Sequence, residues 1–255
     1  MTNLFDLTGK TALVTGASGG LGRHFAFILA KAGATVAVAA RRDDKVAGVA
    51  SEIAAAGGKA IAVSMDVGNR ESIANAFETV EQTAAPVTIL VNNAGISGRG
   101  MTLDMSEEMF DNVMETNLKG VWNVAQAAAQ RMVAAELPGS IINIASILGL
   151  RQAKAVMPYA TSKAAVVQMT KLLALEWAQL NIRVNALAPG YFVTDLNREF
   201  LTSDAGQAII SRVPQRRTGE PVELEGPLLL LASDAGAYMT GAIVPVDGGH
   251  IVNSV

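Results

Sequence analysis

Short runs of β-branched and aliphatic residues recur along the chain, each followed by a longer stretch rich in Ala, Leu and Glu. Runs at Thr11–Thr15, Thr35–Ala39, Ala60–Ser64, Ile89–Val91, Ile141–Ile144, Arg183–Leu187 and Ile243–Val246 predict strands. Helical stretches are predicted near 21–32, 43–56, 70–84, 107–135, 158–179 and 221–232. The strand runs are continuously apolar rather than alternating, the pattern of strands covered on both faces. Strand–helix alternation from end to end therefore predicts an α/β fold, a doubly wound parallel sheet of about seven strands with helices on both faces. No linker, repeat or low-complexity stretch divides the chain, so one domain is expected over 1–255. The single long irregular stretch runs from Pro189 to about Gly219. A connection of that length in a compact domain is usually functional, and it predicts a substrate flap around 190–217.

Composition narrows the class. Half of the 255 residues are hydrophobic and only 17% are charged, an apolar balance that an oligomer interface would help to hide. A net charge of −3 and a pI near 5.5 argue against a nucleic-acid partner, which needs a basic stripe. The absence of cysteine excludes disulfides and thiol chemistry, and two histidines, His24 and His250, are too few for a metal cluster. The opening Met1-Thr2-Asn3-Leu4-Phe5-Asp6 has no signal-peptide character. No apolar run approaches the roughly 20 residues of a membrane span. A cytoplasmic protein with no membrane partner is expected.

Three segments carry candidate chemistry. The first strand runs into Gly16-Ala17-Ser18-Gly19-Gly20-Leu21-Gly22 and then a helix. Glycines there let backbone N–H groups approach a pyrophosphate at a helix N-terminus, although any tight strand–helix turn favours glycine. Asn92-Asn93-Ala94-Gly95 closes the fourth strand, at the sheet edge where open α/β sheets bind ligands. Asp66 closes the third, as a turn residue or as an acceptor for an adenine amino group. Tyr159 and Lys163 lie four apart at the start of a helix and so share one face. A nearby cation favours phenolate and draws a tyrosine from its usual pKa of about 10 toward a working range; alternatively, the two are an ordinary amphipathic pair. Ser146 follows a strand and could hydrogen-bond a carbonyl oxygen beside the phenol. Asn117, in mid-helix, suggests a backbone distortion or a buried polar link.

Together, Thr15-Gly16-x-x-x-Gly20-x-Gly22, Asn92-Asn93-Ala94-Gly95, Asn117, Ser146 and Tyr159-x-x-x-Lys163 resemble the short-chain dehydrogenase/reductase family, over essentially the whole chain. Pro189-Gly190 with Thr194, and Asp247-Gly248-Gly249, fit the same pattern. The resemblance implies a Rossmann-type core and a nicotinamide-dependent enzyme interconverting a ketone and a secondary alcohol. Tyr159 would be the general acid or base, Ser146 would polarise the carbonyl, and Lys163 would bind the nicotinamide ribose and lower the tyrosine pKa. Asn117 would hold a water of a proton relay. Cofactor contacts are then expected at Gly16, Ser18, Gly20, Leu21, Gly22, Arg41, Asp66, Val67, Asn93, Ala94, Gly95, Tyr159, Lys163, Pro189, Gly190, Val193 and Thr194. No metal site is expected.

The second strand ends at Ala40-Arg41, where an acidic residue would select NAD and an arginine accommodates a 2′-phosphate. NADP(H) is expected to be preferred, with NAD(H) possible, because the basic residue many NADP-using relatives carry in the glycine loop is here Gly19. The opening Leu4–Lys10 resembles sugar-acid dehydrogenases of the family and the remainder 3-oxoacyl thioester reductases, so the small-molecule substrate stays open between those classes. Tyr191, Phe192, Leu196, Phe200, Ile209 and Ile210 make the flap partly apolar, while Arg198, Arg212, Arg216 and Arg217 could greet an acidic carrier or form a solvated face. Helices 107–135 and 158–179 carry small and apolar residues such as Ala164, Ala165, Val167, Leu172 and Trp177; the resemblance, whose members pair these helices across two-fold axes, implies a homotetramer with 222 symmetry. An NADP-binding redox sensor without turnover, and a methyltransferase, are the rival readings.

Overall fold

The computed structural model describes residues 3–194 and 197–253. Seven strands form one parallel sheet: β1 (Thr11–Thr15), β2 (Thr35–Ala40), β3 (Lys59–Ser64), β4 (Val87–Asn92), β5 (Gly139–Ile144), β6 (Ile182–Pro189) and β7 (Ile243–Val246), in the order β3-β2-β1-β4-β5-β6-β7. The α-helices are α1 (Gly20–Lys31), α2 (Asp43–Ala55), α3 (Arg70–Thr83), α4 (Glu107–Met114), α5 (Gly120–Ala134), α6 (Met157–Trp177), α7 (Arg198–Thr202), α8 (Asp204–Ile210) and α9 (Glu225–Ala232). The doubly wound α/β expectation holds, and β1 and β7 have the predicted bounds.

Side chains one apart on a strand feed opposite layers. Val14, Val36, Val38, Ile89, Val91 and Ile142 pack with Phe25, Val49, Ile53 and Leu228 on the α1, α2 and α9 side. Leu13, Ala37, Leu90 and Ile141 pack with Phe77, Val124, Ala128 and Met132 on the α3 and α5 side. Continuous burial holds for β1 and β5 but not for β3. β3 is an edge strand, and only one of its sides has a neighbour.

Two expectations are corrected. The stretch 107–135 is not one regular helix: a π turn at Glu115–Lys119, with Gly120 N–H donating to the Glu115 carbonyl, joins α4 to α5. The distortion suspected at Asn117 is this turn. The segment after β6 is not wholly irregular either, since it contains α7 and α8, the latter capped by the Ser203 hydroxyl accepting from Gly206 N–H. Leu196 lies outside the described residues.

A buried polar ladder ties the helices to the sheet. Asn92 Nδ2 donates to Asn143 Oδ1 at 3.0 Å, Asn143 Nδ2 to Thr170 Oγ1 at 3.0 Å, and Thr170 Oγ1 to the Val166 carbonyl at 2.8 Å. A buried polar group left without its partner costs roughly 1–3 kcal/mol. Asn143→Ala is therefore expected to lower unfolding free energy by about that amount, read from the denaturant midpoint at unchanged m-value.

Candidate active site

At the carboxyl edge of the sheet the strand order reverses between β1 and β4, and the chain leaves these neighbours in opposite directions. Thr15 pins the resulting crevice. Its hydroxyl accepts from Asn93 N–H and Ala94 N–H, both at 3.0 Å, while Asn93 Nδ2 donates to the Thr15 carbonyl at 3.0 Å and the Gly16 carbonyl at 3.2 Å. That pin accounts for two of the glycines. Gly16 has φ 65°, and a Cβ there would lie 2.8 Å from Ala94 Cα; a Cβ on Gly22 would overlap Asn93 Nδ2 and the Gly16 carbonyl. At its glycines the backbone turn above α1 is thus bare of side chains, a cradle suited to a pyrophosphate.

A cleft of about 930 Å³ opens over this edge. Its walls include Gly16, Ser18, Gly20, Leu21, Gly22, Arg41, Asp66, Val67, Asn93, Ala94, Gly95, Ser146, Tyr159, Lys163, Pro189, Gly190 and Thr194. These predicted residues come from the segments that follow six strands, β1 to β6, and from the start of α6, and converge on one surface. Two others do not line it. Val193 packs with Leu201, Ile210 and Val213 in the apolar cluster of the α7–α8 segment. Asn117 is fully buried below the wall.

At the β2 end, Arg41 is exposed and has no hydrogen bond or ion pair among the described residues. Arg42 lines the cleft beside it and donates to Ser18 Oγ at 3.2 Å. A second basic group thus stands at the cleft directly after Arg41. Its adjacency to Arg41 was visible in the sequence, but its direction toward Ser18 was not. Asp66 serves as a turn residue, its Oδ1 accepting from Gly68 N–H at 3.0 Å, and still borders the cleft.

At the other end, β5 delivers Ser146, whose Oγ accepts from Leu148 N–H at 3.1 Å. That bond occupies a lone pair and leaves the hydroxyl proton free to donate. Pro158 opens α6 in its first turn, where a missing N–H costs nothing, and Tyr159 and Lys163 follow one turn apart. Lys163 Nζ lies 5.7 Å from the Tyr159 ring centre and donates to the Ile144 carbonyl at 2.7 Å. Burial lowers the Lys163 pKa to about 8. Burial also pushes the Tyr159 phenol above its usual value, with the Ser146 hydroxyl pulling it back and Tyr191 adding to the rise. The expected depression of the tyrosine pKa is thus not what the protein alone produces. Desolvation outweighs the Ser146 hydrogen bond that favours the phenolate.

The Asn117 side chain already makes three hydrogen bonds within the protein. Its Oδ1 accepts from Ile96 N–H at 2.8 Å, and its Nδ2 donates to the Ile96 carbonyl at 2.9 Å and to Ser162 Oγ at 3.2 Å. Ser162 in turn donates to the Tyr159 carbonyl at 2.7 Å. Asn117 therefore ties the loop after β4 to the first turn of α6. Residues not foreseen on the walls include Arg42, Ile96, Ser97, Arg99, Ile147, Leu148, Val156 and Asn197. Apart from the acid-free end of β2 at Arg41-Arg42, they carry no spacing signal.

The family model described as short chain dehydrogenase matches residues 10–205. The chain is 38% identical over 246 residues to 3-oxoacyl-(acyl-carrier-protein) reductase FabG of Thermotoga maritima, covering 96% of this chain and 99% of that protein. It is 38% identical over 250 residues to 2-dehydro-3-deoxy-D-gluconate 5-dehydrogenase of Dickeya dadantii, covering 98% of both. The structure of a gluconate 5-dehydrogenase from Burkholderia cenocepacia in complex with NADP and tartrate superimposes with a TM-score of 0.94 at 37% identity, covering 99% of this chain and 98% of that one.

A lysine whose pKa falls from 10.5 to about 8 on folding binds fewer protons folded than unfolded between those values. Its burden on stability is full below pH 8 and vanishes above 10.5, a span worth on the order of 3 kcal/mol. The stability of the cofactor-free protein relative to Lys163→Met is expected to rise across that window, as measured by denaturant unfolding at pH 7, 9 and 10.5.

Proposed function

The chain belongs to the short-chain dehydrogenase family, and from that premise we propose that it is an NADP(H)-preferring enzyme that interconverts a ketone and a secondary alcohol. The observation that carries this reading is the convergence of Ser146, Tyr159 and Lys163 on one cleft with the bare glycine turn. The nicotinamide, when bound, supplies or accepts the hydride. Gly16, Ser18, Gly20, Leu21 and Gly22 would hold its pyrophosphate end, and Asn93, Ala94 and Gly95 the adjoining ribose. Pro189, Gly190 and Thr194 would border the nicotinamide. Arg41 and Arg42, with Ala40 in place of an acid, suit a 2′-phosphate, because guanidinium pairs with phosphate in a planar, charge-assisted fork.

In the reductive direction the Tyr159 phenol gives its proton to the carbonyl oxygen, and Ser146 donates a second hydrogen bond to the same oxygen. A phenol kept protonated by burial is the right state for this step. Lys163 Nζ, one proton spent on the Ile144 carbonyl, keeps two donors for ribose hydroxyls and an electrostatic pull on a developing phenolate. Asn117 acts as a positioning residue through Ile96 and Ser162. The segment around 190–217 is a substrate flap on this reading. Its neck is closed by the Phe192–Gly219 bridge, with Gly219 N–H donating to the Tyr191 carbonyl at 2.9 Å.

Tyr159→Phe is expected to cut ketone-dependent NADPH oxidation by about 10²–10⁴-fold while NADPH still binds, followed by absorbance and by cofactor fluorescence. NADPH binding without turnover of any ketone, across thioesters, sugar acids, diketones and aryl ketones, would instead favour the redox-sensor reading. Arg41→Asp is expected to move the ratio of kcat/KM for NADPH over NADH by at least tenfold toward NADH, since a bidentate phosphate contact is replaced by repulsion.

The outer faces of α5 and α6 carry Trp122, Leu172 and Leu175, with Leu175 79% exposed, whereas Val167 turns inward to the core. Such faces fit self-association as a homotetramer. Light scattering at micromolar concentration is expected to return four times the chain mass, and Leu175→Glu to lower it.

A further inference from the structure

Where the loop after β4 meets the α7–α8 segment, the cleft is lined by Ser97, Arg99, Tyr191 and Asn197. Arg99 is the one charged group of that set. The only carboxylate on the cleft wall among the described residues is Asp66, at the end of β3. The Arg99 guanidinium lies 4.0 Å over the Phe200 ring of α7. Stacking occupies a face of the guanidinium and leaves its in-plane N–H donors untouched. None of them has a hydrogen-bond or ion-pair partner among the described residues.

A second guanidinium reinforces the charge. Arg151 donates to the His250 carbonyl, and the His250 ring packs 5.6 Å from that of Tyr191. Both arginines act on the Tyr191 phenol, pulling its pKa down against the rise that burial imposes, and Tyr191 in turn bears on Tyr159. The flap's own basic residues offer no comparable site. Arg217 is spent on Glu223, with Nη1–Oε2 at 2.7 Å and Nη2–Oε1 at 2.6 Å, and neither it nor Arg198, Arg212 or Arg216 lines the cleft, whereas Arg99 does.

Building on the ketone–alcohol reading above, we propose that Arg99 is a specificity-determining residue that recognises a carboxylate on the substrate, so that the enzyme acts on polar hydroxy and keto acids rather than on carrier-bound acyl thioesters. The stack on Phe200 holds the guanidinium plane, and its free edge matches a carboxylate in two parallel hydrogen bonds. The polar lining of Ser97 and Tyr191 suits the hydroxyls of such an acid, while Asn197 is held by the flap backbone, accepting from Thr194 N–H and donating to the Phe192 carbonyl, both at 2.8 Å. Because Phe200 belongs to α7, the flap itself sets the orientation of the anion-binding fork.

The test pairs aldonates of four to six carbons with the alditols of the same configuration, which replace the carboxylate by CH2OH. Each pair is offered as an alcohol substrate with NADP, and as a ligand by calorimetry to the NADPH-loaded protein, where no oxidation can occur. At least one aldonate is expected to exceed its alditol in kcat/KM and in affinity, with an affinity that weakens as salt is added. Arg99→Gln should lower that aldonate-over-alditol ratio on the order of 10- to 100-fold, chiefly through KM, and Arg99→Lys should restore part of it. An unchanged ratio in Arg99→Gln, or aldonates binding no better than alditols to the wild-type protein, would overturn the proposal. If nothing turns over, the ketone–alcohol reading fails. Calorimetry then still decides the carboxylate site, by whether aldonate binding is present in the wild-type protein and lost in Arg99→Gln.

Discussion

A parallel sheet can be stable only when both faces are covered, and that requirement organises the molecule. Every strand must be followed by a crossover that packs back onto one face or the other, so all seven strands end at the same edge. The polar turns that close the strands are driven to that edge because neither face has room for them. Where the crossovers diverge, between β1 and β4, no helix fills the gap, and the cleft is the space left over. Thr15 holds the two strand ends together with one hydroxyl serving two backbone N–H groups. The glycine turn can then approach β4 closely only because it carries no side chains there.

Within that edge the costly element is Lys163, an ammonium buried against the carbonyl of Ile144 and the base of Tyr159. Burial opposes its charge as it opposes ionisation of the neighbouring phenol. The surroundings hold this arrangement rigidly. Asn117 bonds both the N–H and the carbonyl of Ile96 and reaches Ser162, which bonds back to Tyr159. Asn117 does so from within the π turn at Glu115–Lys119. The distortion at 115–119 is therefore part of how the phenol and ammonium are aimed.

The substrate end is built differently. Its chemistry-bearing groups come from surface segments: Arg99 from a loop, Phe200 and Asn197 from the α7–α8 segment, and Arg151 with His250 from two further turns. They meet through ring stacking and single hydrogen bonds rather than through the buried sheet. Segments of this kind can change without disturbing the ladder beneath them. On the proposed reading, a fixed proton-transfer centre thus sits beside an adaptable recognition surface.

The strands, the glycine turn, the Asn-Asn-Ala-Gly end of β4 and the Tyr159–Lys163 pair were legible in the chain because their signals are local. Apolar runs, turn glycines and a four-residue helical spacing each follow from backbone geometry within a few residues. Asn117 was legible as an anomaly, a poor helix former in mid-helix, but not as a clamp, since its partners Ile96 and Ser162 lie 21 and 45 residues away. The inward turn of Val193, the two short helices beyond β6 and the pairing of Arg217 with Glu223 depend on packing inside a segment with no clear period. Arg42 beside Ser18, and Arg99 over Phe200 next to Tyr191, join residues whose sequence separation carries no pattern. The sequence by itself determined the order of elements and which residues could do chemistry. Tertiary structure alone decided which of them face one another, and through burial it reversed the expected direction of the Tyr159 pKa, because desolvation is a property of the packed site and not of any spacing along the chain.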